Sequence, residues 1–239
     1  KNLARRGSHR ISAGPVVSMN IFRICGDFMH LASIMILIFK IRSRKNCAGI
    51  SLKSQMLYVL VFVTRYLDLF WNFNSLYNWI MKVIFISTSV YIVYLMKFVQ
   101  PICLTYRKET DDKLPVIYLI APCAILALIF IEFYEFAEYL WTFSIYLEAV
   151  AILPQLMVVH EYAKNDGGFV ENLTSHYVFT LGGYRFMYIL NWIYRVATEK
   201  GYRSWRVWIA GLIQTIIYCD FFFYYLKAFK SGGRTRLPL

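Results

Sequence analysis

Long apolar runs separated by short polar segments set the pattern of this chain. Seven of these runs are close to the roughly 20 residues that an α-helix needs to cross a bilayer. We place the predicted spans at about 21–41, 52–71, 76–97, 114–132, 138–159, 174–195 and 204–227. They are helical by length, since a membrane-crossing strand needs only about 9–11 residues. The pattern predicts an all-α membrane protein with seven transmembrane helices.

The composition excludes several other classes of protein. Of 239 residues, 59% are hydrophobic and 17% are charged, whereas a soluble domain has roughly 45–50% apolar and about 25% charged residues. The net charge of +12 comes from short basic clusters between apolar runs, so no nucleic-acid partner is indicated. The five cysteines are scattered without a C-x-x-C pair, which indicates neither a disulfide framework nor a metal site. We expect no cofactor.

The chain divides into three predicted regions. Residues 1–18 have basic residues and no apolar run, and we interpret them as an N-terminal extension, which need not be native, before a start at Met19. Residues 19–230 form the membrane domain, and 231–239 form a tail. Lys53-Ser54-Gln55 and Pro154-Gln155 are similar to two parts of a PQ-loop element, one in each half. This hint of duplication predicts two three-helix bundles joined by a linker helix, as in SWEET transporters.

Loop charges predict the orientation in the membrane. The first loop, the third loop and the tail are basic, whereas the fourth loop is acidic, with Glu132, Glu135 and Glu138. The positive-inside rule therefore places the amino terminus in the lumen or outside and the tail in the cytosol. The sixth loop opposes this assignment, with basic residues on the predicted lumenal side: Lys200, Arg203 and Arg206.

Ionisable residues inside the spans are the main candidates for function, because each costs at least about 2.5–3.5 kcal/mol at the centre of a helix. One set lies near the lumenal helix ends and is expected to ring a polar cavity: Arg23, Arg65, Asp68, Glu138 and Arg195. Another forms one helical stripe at i, i+3, i+4 and i+7: Tyr188, Asn191, Trp192 and Arg195. With Arg185, the buried arginines outnumber the acids, so an acidic ligand is expected, bound through bidentate guanidinium contacts. Asp68 and Glu138 beside Trp141 and Trp192 offer a place for one cation.

Each of these residues also has a purely structural interpretation. Arginine–acid pairs can be structural, and Arg23 can extend to the lipid headgroups. His30 can be a hydrogen-bonded core histidine, and tryptophan and tyrosine stripes are usual at membrane interfaces. Four arginines on three helices nevertheless exceed what structural pairing needs.

Short motifs along most of the chain resemble the KDEL receptor family, the ER lumen protein-retaining receptors. They are MNIFRICGD (19–27), CAGISLKSQ (47–55), TRYLDLF (64–70), SLYN (75–78), LWTFSIYLEAVAILPQL (140–156), SHY (175–177), the YR…Y..NWIYR segment (184–195) and YCDFF (218–222). The resemblance implies a seven-helix, SWEET-like bundle. It also implies a pH-dependent receptor, not an enzyme, that binds C-terminal Lys-Asp-Glu-Leu or His-Asp-Glu-Leu signals of escaped ER proteins in the Golgi and returns them in COPI vesicles.

The resemblance also implies roles for individual residues. Arg65, with Tyr66, would hold the terminal carboxylate of the peptide, Arg23 its penultimate Glu, and Arg195 the acid before that. Asp68, Glu138, Trp141 and Trp192 would receive the basic residue, with Arg185, Tyr188 and Asn191 also in the binding site. The pH-sensitive closure network would contain His30, Asn72, Glu148 and Tyr184, together with Arg185. Asp220 would restrain the tail, and Lys227 and Lys230 would serve as the signal read by the coat.

Some positions depart from the family pattern. Asn72 stands where better-known members have Ser, and Ser204 replaces an Asp. The tail lacks the usual lysine cluster after Lys227 and Lys230.

Two rival functions stay open at this point. A SWEET or PQ-loop solute transporter would have a pore lined by Asn, Trp and small polar groups, which the arginines and carboxylates disfavour. A membrane enzyme using His30, Glu148 or Asp220 lacks an accompanying catalytic motif such as G-x-S-x-G. We therefore expect a multi-pass receptor of the Golgi and ER membranes.

Overall fold

The computed structural model describes residues 20–70, 75–132, 135–199, 205–231 and 233–238. Its helices are α1 (Ile21–Arg44), α2 (Leu52–Arg65), α3 (Leu76–Phe98), the one-turn α4 (Lys108–Asp111), α5 (Ile117–Ile129), α6 (Phe136–Val150), α7 (Leu153–Asn165), α8 (Asn172–Thr198) and α9 (Trp205–Ser231), with 3₁₀ turns at Leu67–Phe70 and Ile102–Thr105. Within the described ranges there is no β-strand beyond a single bridge between Phe169 and Arg236. The all-α prediction is confirmed for these residues.

Among the described residues, four helical segments are long and apolar enough to cross a membrane: α1, α3, the segment that combines α6 and α7, and α9. The predicted second span, 52–71, is wrong in length, because α2 ends at Arg65. Near that end, the Thr64 hydroxyl donates to the carbonyl of Leu60 at 2.8 Å, a local bond that competes with regular helical pairing. The predicted fourth span, 114–132, contains the shorter helix α5 of 13 residues. The predicted fifth span is interrupted at residues 151–152, just before Pro154.

The helices pack so that α1 lies along α8, α2 contacts α3 and α6, and α9 contacts α6 and α8. Glycines permit two close approaches at the centre. A Cβ atom on Gly211 of α9 would lie 2.4 Å from the ring of Trp192, and one on Gly26 of α1 would lie 2.8 Å from the ring of Tyr188. Both rings can therefore lie against neighbouring backbone. Outward faces of α1 and α9 expose large apolar side chains such as Phe39 and Phe223, as expected of a surface in contact with lipid.

The two PQ-like segments meet in the structure. The side-chain oxygen of Gln155 accepts from the Ser51 backbone N–H at 2.9 Å, and its amide donates to the Gly49 carbonyl at 2.8 Å. The Gln155 N–H donates to the Ser54 hydroxyl at 2.9 Å. These bonds join the start of α2 to the start of α7. Gln155 is fully buried, so its amide must form its hydrogen bonds within the protein.

Candidate functional site

Two cavities lie side by side between the helices. The central cavity has a volume of about 220 Å³, and its lining includes His30, Arg65, Glu148, Tyr184, Arg185 and Trp192. The adjoining cavity has a volume of about 340 Å³, and its lining includes Arg23, Tyr77, Asn78 and Lys82. Five residues line both cavities: Asp27, Tyr66, Phe85, Trp141 and Tyr188. The two cavities are therefore contiguous.

A buried cluster of two arginines and one glutamate forms one wall of the central cavity. Glu148 Oε2 lies 2.6 Å from Arg65 Nη1 and 2.6 Å from Arg185 Nη2, and Glu148 Oε1 accepts from the Tyr184 hydroxyl at 2.5 Å. Arg65 also donates to the Ser144 hydroxyl and carbonyl, at 3.1 and 3.0 Å. Arg65 and Arg185 therefore share one carboxylate of the chain itself. Two guanidinium groups sharing one carboxylate still leave one excess positive charge.

The excess extends over both cavities. Among their described lining residues there are four cations (Arg23, Arg65, Lys82 and Arg185) and two carboxylates (Asp27 and Glu148). Lys82 is also paired with Asp68, at 2.7 Å. Within the described part of the chain, the buried Nε of Arg185 has no hydrogen-bond partner. A buried donor without a partner costs about 1–3 kcal/mol, which an anionic ligand can recover.

The predicted stripe of α8 is divided in the structure. Tyr188 and Trp192 line the central cavity, and the Tyr188 hydroxyl donates to Asp27. Asn191 is buried and accepts from the Asn20 side chain at 2.6 Å. Arg195 is buried and pairs with Glu199 one turn later, at 2.8 Å. Of the four residues of the stripe, Tyr188 and Trp192 therefore line the cavities described above.

The structure distributes the five charged residues of the predicted ring over two contiguous cavities and their surroundings. Arg65 lines the central cavity, whereas Arg23 lines the adjoining one and donates to Asn78 at 2.8 Å. Asp68 and Glu138 are paired with cations of the chain itself: both oxygens of Asp68 accept from Lys82, and Glu138 accepts from an arginine of α9.

That arginine is Arg206, which the loop charges assigned to the sixth loop although the predicted span 204–227 also contains it. It lies in α9 and is buried, and its guanidinium is 2.8 Å from Glu138 and 2.7 Å from Glu132. The loop assignment of Arg206 is wrong, because these two acids neutralise a side chain that is inside the protein. The other two basic residues of that loop, Lys200 and Arg203, lie outside the described residues.

His30 is held by aromatic rings. Its ring stacks on that of Tyr184, with centroids 4.1 Å apart and planes 5° apart, and lies 4.8 Å from the ring of Phe85. Glu148 and His30 share no hydrogen bond or ion pair among the described contacts, because the oxygens of Glu148 are engaged by Tyr184 and the arginines. Tyr184 connects the two residues instead. Asn72, the other predicted member of the network, lies outside the described residues.

At the other end of the bundle, the residues after α9 return to the α7–α8 connection. The Val170 N–H donates to the Thr235 carbonyl at 2.9 Å, and the Leu237 N–H donates to the Gly168 carbonyl at 2.8 Å. Asp220 lines a separate cavity near Leu237. Lys227 and Lys230 are exposed on the last turns of α9.

Several cavity residues were missed from the sequence, and signals existed for three of them. Asp27 stands four residues after Arg23 and three before His30, so all three share one face of α1. Lys82 is an ionisable residue within the predicted third span. Asn78 belongs to the SLYN motif. The criterion of charge inside a span would have found Asp27 and Lys82.

The fold and the two cavities define a helical membrane protein with an excess of positive charge between its helices. The sequence model of the family described as "ER lumen protein retaining receptor" matches residues 46–195. An ER lumen protein-retaining receptor of Petunia hybrida is 50% identical over 220 residues, covering 92% of this chain and 100% of its own length. One from Entamoeba histolytica is 52% identical over 219 residues, covering 92% and 99%. The chain belongs to the ER lumen protein-retaining receptor family.

Proposed function

We propose that this chain binds C-terminal retrieval signals of the Lys-Asp-Glu-Leu or His-Asp-Glu-Leu type in the Golgi, in a pH-dependent way, and returns their carriers to the ER. The observation that carries the proposal is the excess of cations over carboxylates in the two contiguous cavities. A peptide of this type brings two acidic side chains and a terminal carboxylate, which is the charge that the cavities lack.

The terminal carboxylate binds at Arg65, with Tyr66 beside it. An arginine fork can hold a carboxylate through two parallel hydrogen bonds. The Nη1 of Arg65 now contacts Glu148, so an arriving carboxylate shares or displaces that contact. Arg185, with its Nε without a partner, lies on the same cluster and adds a second donor.

The peptide extends from there towards Arg23. Arg23 and His30 are seven residues apart in α1, about 10 Å along the helix axis, and the two residues line the adjoining and the central cavity. Four extended residues span roughly 13 Å, so a tetrapeptide can reach both cavities. Arg23 then meets the penultimate Glu, and Arg195 the acid before it, with Tyr188 and Asn191 beside them.

The basic residue of the signal is assigned to the acidic and aromatic end of the site. Its residues are Asp68, Glu138, Trp141 and Trp192. A cation over a tryptophan face gains about 0.5–2 kcal/mol, and the two acids add charge attraction.

Closure of the site depends on pH through the network of His30, Asn72, Glu148 and Tyr184, with Arg185. His30 is stacked on Tyr184, which donates to Glu148. Protonation of His30 places a charge beside this ring and changes how Tyr184 and Glu148 hold the arginines. Histidine is the side chain most often used as a proton sensor in proteins, which supports the assignment of this role to His30.

In the membrane we propose seven crossings in a SWEET-like layout, with α6 and α7 acting as one interrupted crossing. The amino terminus is lumenal and the tail cytosolic, as the basic loops favour. Asp220, Lys227 and Lys230 then lie on the cytosolic side, where the two lysines are accessible to the COPI coat. A solute transporter is not favoured, because buried cations in such number would bind a neutral solute poorly.

Peptide binding to the purified receptor tests the proposal. A free-acid Lys-Asp-Glu-Leu peptide should bind more tightly at pH 5.5 than at pH 7.5, and its C-terminal amide should bind at least about tenfold more weakly than the acid, the loss expected for one charged hydrogen-bonded contact. Arg65→Lys should weaken binding of the acid strongly, because a point ammonium cannot replace the fork. Equal binding of amide and acid would show that the carboxylate is not recognised.

A further inference from the structure

A cation of the chain itself already occupies the acidic and aromatic end of the proposed site. The guanidinium of Arg206 donates to Glu138 Oε1 at 2.8 Å, to the Thr142 hydroxyl at 3.0 Å and to Glu132 Oε2 at 2.7 Å. It also lies over the ring of Trp141, with its central carbon 5.4 Å from the ring centroid. The side chain is 7% exposed. Arg206 therefore makes the contacts that a basic ligand residue would make.

This arrangement is next to the cavities. Trp141 lines both of them, and Val207, which follows Arg206 in α9, lines the central cavity. The second acid assigned to the basic residue, Asp68, is likewise held by Lys82 through both of its oxygens, at 2.7 and 2.8 Å. Both carboxylates proposed for the ligand cation are thus paired within the chain.

We infer that Arg206 is a specificity-determining residue: it neutralises the acidic and aromatic end of the site, so that this receptor selects weakly for a basic residue at the fourth position from the peptide's C-terminus. The inference rests on the proposed function, since it concerns one position of the same peptide. With Glu138 paired and a face of Trp141 covered, a ligand cation gains less than it would at free acids, because like charges repel it.

Arg206 should affect the selectivity for the basic residue of the peptide and not the binding of the terminal carboxylate. The cluster of Arg65, Arg185 and Glu148 is built from α2, α6 and α8, with no hydrogen bond or ion pair to Arg206 among the described contacts. Removing the charge of Arg206 should leave recognition of the terminal carboxylate intact and release two acids, Glu132 and Glu138, for a ligand cation.

The test measures the affinity of the full-length purified receptor for two peptides, Lys-Asp-Glu-Leu and its norleucine analogue, which keeps the four-carbon stem of the lysine side chain but lacks its ammonium group. In the wild type the two dissociation constants should differ by less than about tenfold, a modest charge effect. The ratio to compare is the Kd of the norleucine peptide divided by the Kd of the lysine peptide. In Arg206→Met this ratio should rise by at least about tenfold, as expected when acidic groups close to the ligand lose their partner. A wild-type preference for lysine above about a hundredfold, or an unchanged ratio in Arg206→Met, would overturn the inference.

Two further variants make the result specific. Arg206→Met combined with Glu138→Gln removes one released acid together with the arginine, so its ratio should fall between those of the wild type and Arg206→Met. Arg234→Met removes an exposed cation that pairs with Asp166 at 3.2 Å on the opposite side of the bundle, and its ratio should equal that of the wild type. If Arg206→Met does not fold, the double variant still decides the matter, because its ratio should exceed that of the wild type and an unchanged ratio would overturn the inference. Failure of the proposed function would be seen separately, as equal binding of the free acid and the amide to the wild type.

Discussion

Replacing Glu148 by glutamine removes the carboxylate that Arg65 and Arg185 share. In the wild type this side chain is buried and receives two ion pairs of 2.6 Å and a hydrogen bond from Tyr184. Glutamine keeps the shape and one acceptor oxygen but leaves both arginines without a counter-charge. We expect the variant to be much less stable without ligand and to depend on an anionic ligand for its stability.

The size of the effect follows from burial. Removing one partner of a buried ion pair destabilises a protein by about 3–5 kcal/mol, because the remaining charge stays desolvated. In a chain of this size each kcal/mol corresponds to roughly 2–4 °C in Tm. The melting temperature of Glu148→Gln in detergent should therefore fall by on the order of 10 °C.

The ligand should restore part of this loss. A ligand at a hundredfold excess over its Kd stabilises the folded state by about 2.7 kcal/mol. In Glu148→Gln a free-acid tetrapeptide brings the missing negative charge, so its gain in Tm should exceed the gain in the wild type. The amidated peptide lacks that terminal charge and should stabilise the variant less.

A thermal melt of purified receptor, with and without each peptide, measures both effects. Glu161→Gln is the matched control, because Glu161 pairs with Lys113 at 2.7 Å between two partly exposed side chains. An exposed pair of this kind contributes about 0–1 kcal/mol, so its Tm should change little. If Glu148→Gln melts with the control, or if acid and amide protect it equally, the shared-carboxylate account of the central cavity is refuted.

Two further predictions concern the same cavity. His30→Ala should flatten the dependence of peptide affinity on pH between about 5.5 and 7.5, because it removes the histidine that stacks on Tyr184 and so contacts the Glu148 cluster through that ring; a variant that keeps the full slope in a binding titration would assign the sensor to another group. Gly211→Ala should weaken peptide binding, because the new methyl group would lie 2.4 Å from the Trp192 ring and push it from its place; Gly233→Ala, whose methyl would meet only the Ser231 hydroxyl at 3.4 Å, should bind as the wild type does.

The helical class and the family could be inferred from the sequence alone, for physical reasons. Apolar runs of bilayer length predict helices because a chain in lipid must satisfy its backbone hydrogen bonds internally. The charged residues within those runs, such as Arg65, Arg185 and Glu148, could be recognised as unusual because charge is costly there. Motifs such as LWTFSIYLEAVAILPQL also indicated the family before any helix was placed.

The partners of the charged residues were decided by tertiary structure. Arg206 and Glu138 are 68 residues apart and stand near the starts of two different predicted spans, 204–227 and 138–159. Their contact exists because α9 packs against α6. Helical periodicity determines which residues share a face of one helix, but it carries no information on which faces meet. Charge within the predicted spans therefore identified residues such as Arg65, Arg185 and Glu148, but the packing of the helices decided that these three join one another while Glu138 pairs with Arg206.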